Sequence, residues 1–148
     1  MALIENTFFA SAYILLRYEE DAIQVADHAS SIADKAIKLK GKIPEKSLQK
    51  IDKMSHLALT VLGDSVEALL RRDYQLADKT VDDAENIRTL EDDVITAMEK
   101  DRADDLGNIK LALEDIRRTA EYASDIAEVA MNDTIDEVTE KHSANRRK

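Results

Sequence analysis

The residues of this 148-residue chain best suited to chemistry are carboxylates one helical turn apart. Glu121 and Asp125 stand four residues apart, as do Asp78 and Asp82, and on a helix that spacing puts both side chains on one face, as a hard or borderline cation requires. Asp27 belongs to a second row, Glu20, Gln24, Asp27, Ser31 and Asp34, which parallels Glu114, Arg118, Glu121, Asp125 and Glu128. If the helices carrying these rows are neighbours, Asp27, Glu121 and Asp125 form a candidate site for a divalent or iron-type metal ion. The same residues also read as solvated faces or as partners of Arg117, Arg118 and Lys35, worth a few tenths of a kcal/mol per pair. With 31 acidic residues in the chain, such spacings arise easily.

Other chemistries lack their residues. The chain has no Cys, which removes thiol nucleophiles, zinc ribbons and a disulfide framework. His56 and His142 have no carboxylate at the spacing of the Glu-x-x-His signature of di-iron oxidases, and His28 reads as a boundary residue that packs its ring. There is no glycine-rich phosphate loop and no nucleophile elbow, so no catalytic residue is expected. A net charge of −10 and a pI near 4.8 argue against nucleic-acid binding by this chain, because phosphate contacts need clustered positive charge. The longest uncharged stretch, Asn6 to Leu16, is too short for the ~20 apolar residues that cross a bilayer. Glu5 also sits where a signal peptide wants positive charge. The expectation is a cytoplasmic protein with no membrane insertion.

Three Gly and one Pro in a chain rich in helix formers predict an all-α protein. A first helix is expected from about Ala2 to Leu39, stopped by Gly41 as a left-handed cap. Pro44 suits the start of a second helix ending near Arg72, and Asp73 reads as the N-cap of a third. A break at Asp101 to Asn108, with Asp104 or Asp105 as cap, precedes a fourth helix to about Asn132. Residues 133–148 then form a frayed, charged tail outside a 1–132 bundle. Short loops make sequence neighbours antiparallel, giving an antiparallel bundle of four long helices. At 1.5 Å per residue the first helix would reach about 55 Å, more than a compact bundle of this size spans. Its adjacent Phe8 and Phe9 cannot both face one small core and mark a candidate partner surface.

The chain repeats itself. Residues 20–37, EDAIQVADHASSIADKAI, match residues 114–131, EDIRRTAEYASDIAEVAM, at eight of eighteen ungapped positions, too many for chance. Each copy carries an alanine stripe: Ala26, Ala29, Ala33 and Ala36 in one, Ala120, Ala123, Ala127 and Ala130 in the other. Small residues let helix axes approach closely, so the first and fourth helices are expected to touch along these stripes.

The segments VADHASSIADKAI and TAEYASDIAEVAMN resemble the last helix of the three-helix repeat of PhoU proteins, and DIRRTAEYASDIAE is similar to archaeal phosphate uptake regulators. The middle helices, MSHLALTVLGDSVEALLRRDYQLADKTVDDAENIRTLEDDV, resemble the first two helices of that repeat. The likeness covers roughly residues 15–132 and implies the last helix of one repeat followed by one full repeat. Family members usually hold two repeats, so the chain is expected to be a short form or a C-terminal portion without the DNA-binding domain of some archaeal relatives. The missing helices would leave apolar surface for a homodimer to cover. The resemblance implies a non-enzymatic regulator of phosphate uptake that contacts transporter or sensor proteins. A metal-binding bundle and a regulatory module of another transporter or ion channel stand as alternatives. The family's ExxxD motif, whose carboxylates can hold metal clusters, is broken here: Ile23 precedes Asp27, and Arg117 precedes Glu121, where the first Glu belongs.

Overall fold

The computed structural model describes the backbone of residues 2–145 and the side chains of residues 19–135. Four helices follow in order: α1 (Ala2–Lys38), α2 (Glu45–Arg71), α3 (Tyr74–Lys100) and α4 (Leu106–Asn145). Among the described residues there is no strand.

The helix boundaries follow from local chemistry. Pro44 sits just before α2, with φ −55° and ψ 139°. Arg72 closes α2 in the left-handed region at φ 53°, and the Asp73 side chain then accepts from the Leu76 N–H at 3.0 Å to cap α3. Gly41 departs from its expected role, since no glycine has a positive φ. It serves close approach instead: a Cβ at Gly41 would fall 2.6 Å from Cβ of Asp104. The α3–α4 loop takes its left-handed turns at Arg102 and Asp105. Asp105 joins two loops, accepting from the Lys40 backbone N–H at 2.8 Å and from the Asn108 side chain at 2.9 Å.

The fourth helix corrects the expected boundary near Asn132, for it runs on to Asn145. The physical reason is in the sequence: no Gly or Pro follows Gly107, and a charged composition alone does not stop a helix. The side chains of Phe8 and Phe9, expected as a partner surface, lie outside the described residues.

Helices α2, α3 and α4 pack all against one another, while among the described residues α1 lies on α4 and touches neither α2 nor α3. The arrangement is therefore a three-helix bundle with a fourth helix laid along the far side of α4. Its core is Met54, Ala58, Val61, Ile87, Val94, Met98, Ile109, Leu113, Ile116, Ala120 and Ala123. A smaller cluster, Ala68, Ala77, Ala127 and Ala130, lies by the α2–α3 turn, where small side chains let the three helices converge. Helix α1 adds only partly buried Ile32 to this core, and its one buried side chain among those described is Asp21.

Candidate functional site

Helix α4 has two seams that carry polar chemistry. The first faces α1. Asp115, 7% exposed, accepts from Nδ1 of His28 at 2.9 Å and from Nζ of Lys35, which also donates to Oγ of Ser31 at 2.6 Å. Burial pushes the Asp115 carboxyl up, but the hydrogen bonds from Lys35, His28 and Ser31 outweigh it and hold the pKa below the ordinary carboxylate value. The ring of His28 stacks on Tyr122, with centroids 5.8 Å apart and planes 26° apart. The repeat equates His28 with Tyr122 and Asp21 with Asp115. Equivalent rings that touch each other define a local two-fold axis, so the two copies pack antiparallel as a pseudo-symmetric pair.

The second seam faces α3. Arg117 places Nε 2.9 Å from Oε2 of Glu91, meets Glu121 through a second nitrogen, and comes within 4.0 Å of Glu114. Arg88 reaches the same Glu121 oxygen at 3.1 Å. Burial raises the pKa of Glu91; Arg117 pulls it back, and the charges of Asp92, Glu114 and Glu121 push it further up. An open cleft of about 440 Å³ lies beside this network, lined by Glu85, Arg88, Asp92, Arg117, Glu121 and Ser124 among others.

The expected metal residues stand on two helices, α1 and α4. Asp27 is exposed on α1, Asp125 is exposed on α4, and Glu121 is engaged by two arginines of the α3–α4 seam. Asp78 and Asp82 are exposed on α3. Among the described residues no three His, Cys, Asp or Glu side chains are grouped to share one ion. The pairings with Arg117, Arg118 and Lys35 are present, the last two as Arg118 with Glu114 at 3.0 Å and Lys35 with Asp115.

Sequence reasoning passed over Asp115 and Glu91, the two carboxylates nearest the centres of the seams. The signal for Asp115 was available, since an Asp in the same place of both repeat copies and next to an apolar stripe marks a helix flank that meets a neighbour. Glu91 gave none, because α3 carries many acids and nothing local separates the one that faces Arg117.

The PhoU domain model matches residues 51–130, the length that builds the α2–α3–α4 bundle, and this chain belongs to the PhoU family. The family is a regulatory, non-enzymatic one. No curated protein and no solved structure matches the chain.

Proposed function

We propose that this protein regulates phosphate uptake in the cytoplasm through protein–protein contacts with a transporter or sensor, and that it works as a homodimer joined through the outer face of α1. One contrast carries the reading. In α4 the stripe Ala120, Ala123, Ala127 and Ala130 is at most 1% exposed beneath α2 and α3. In α1 the equivalent Ala26, Ala29, Ala33 and Ala36 are all exposed, flanked by Ile23 at 60% and Ile37 at 85%. A stripe of small and apolar side chains along one helix face suits close packing against another helix, and burying it removes apolar area from water at roughly 25 cal/mol per Å². Family membership supports regulation; the open stripe supports the interface. The full chain is expected to run as a dimer in light scattering, and Ala29→Glu with Ala33→Glu to give a folded monomer. A wild-type monomer at tens of micromolar protein would remove the homodimer, and pull-down against phosphate-transport components would then carry the partner question alone.

A further inference from the structure

Resemblance to PhoU proteins implies carboxylates at ExxxD spacing that hold metal, and the α3–α4 seam is where this chain can be tested for that group. The position four before Glu121 is Arg117, and its guanidinium fills the space among the acids: Glu91 from α3 at 2.9 Å, Glu121 in direct contact, Glu114 at 4.0 Å. A hard divalent cation needs carboxylate oxygens on it at roughly 2.0–2.6 Å, with no competing positive charge among them. Here Oε1 of Glu121 already accepts from Arg117 and Arg88. Oε2 of Glu91, on a side chain 13% exposed, is taken by Nε of Arg117. The residues present therefore do not fit a metal ion.

We propose that Arg117 is the resident cation of this seam, tying α4 to α3 through Glu91 while holding Glu121 of its own helix, in place of a metal ion and shutting divalent cations out. The guanidinium suits that task. It keeps its charge at every physiological pH, and its planar fork presents several donors at once, so one side chain serves acids from two helices. A bound ion would make the seam depend on metal supply; a covalently attached cation makes it independent of supply. Glu91 shows why a cation is needed at all, because an ionised carboxylate held out of water beside Glu114 and Glu121 is costly unless paired.

The test uses the full chain, Mn²⁺ as probe, and Arg117→Glu, which restores a carboxylate four before Glu121 and removes the guanidinium. Titration calorimetry is expected to show no stoichiometric Mn²⁺ binding by the wild type and binding by the variant. Saturating Mn²⁺ is expected to raise the variant's Tm by about 5–10 °C while leaving the wild type unmoved. Arg117→Met separates loss of the arginine from gain of a ligand: it lowers Tm and gains no response to Mn²⁺. If Arg117→Glu folds only when Mn²⁺ is added, the proposal also stands. Stoichiometric Mn²⁺ binding by the wild type that Glu121→Gln abolishes would overturn it. So would an Arg117→Glu protein that binds no more Mn²⁺ than the wild type, or one that fails to fold with and without the ion.

Discussion

Helices α1 and α4 carry two copies of one eighteen-residue pattern, yet they meet opposite fates. In α4 the alanine stripe lies at the centre of a three-helix core; in α1 the same stripe faces outward. The acidic flank differs as well, since Glu121 is bound by two arginines while the equivalent Asp27 is exposed on α1. Where the copies meet, they meet as equals, His28 on Tyr122. A helical pattern thus specifies which face can be buried, and neighbours specify whether it is.

The widest gap between the copies is expected from charge placed in the stripe. Ala123→Glu sets a carboxylate at a position 0% exposed and is expected to cost at least about 4 kcal/mol, enough to unfold a marginal domain. The repeat partner Ala29→Glu is expected to change the stability of the isolated subunit by less than about 0.5 kcal/mol, both read by urea melts at protein concentrations where the chain is monomeric. Equal costs would mean that the α1 stripe is covered within one subunit.

Next comes the seam between the copies. Asp115→Ala leaves Lys35 and His28 without their shared acceptor and is expected to cost about 2 kcal/mol or more of α1 docking. Hydrogen exchange should quicken in residues 19–38 and hardly change in α2 and α3, because among the described residues α1 touches α4 and neither of the other helices.

Acid should act in the same place. The lowered pKa of Asp115 contributes stability that is complete above its ordinary value of 3.8 and is lost as pH falls through the folded value. Glu91 has the opposite sign: its raised pKa contributes stability below the ordinary 4.5 that is lost as pH rises through the folded value. Between neutrality and about pH 3 the α1–α4 seam is therefore expected to loosen before the α3–α4 seam, checked by exchange rates resolved along the chain.

A smaller effect is expected at the joint of the two loops. Gly41→Ala forces a Cβ against Asp104 and should cost about 1–2 kcal/mol in thermal unfolding. The smallest is Lys38→Ala, which removes an exposed pair with Asp34 and should shift stability by no more than about 0.5 kcal/mol.

Much of this was legible in the sequence. Asp73 as cap, the break after Lys100 and the adjacency of the first and fourth helices follow from side-chain chemistry and from a repeat within one chain. The end of α4 was not, because the change to a charged tail resembles fraying while the backbone meets no residue that stops it. Of the expected pairing of the alanine stripes only half matches the fold: the helices touch, but through Asp115, His28, Lys35 and Tyr122 rather than through alanines. Polar flanks and apolar stripe lie about a third of a turn apart on each helix, and a one-dimensional pattern does not say which of two adjacent faces takes which neighbour.

By itself the sequence determined that four helices form, the Asp73 cap and the repeat, since helix and cap depend on interactions within a few residues and the repeat is written in the residues themselves. The tertiary structure alone decided which alanine stripe is core, which carboxylate is held by Arg117 and which by Lys35 and His28. Burial and ion pairing belong to pairs of surfaces, and two nearly identical surfaces differ only in what is laid against them.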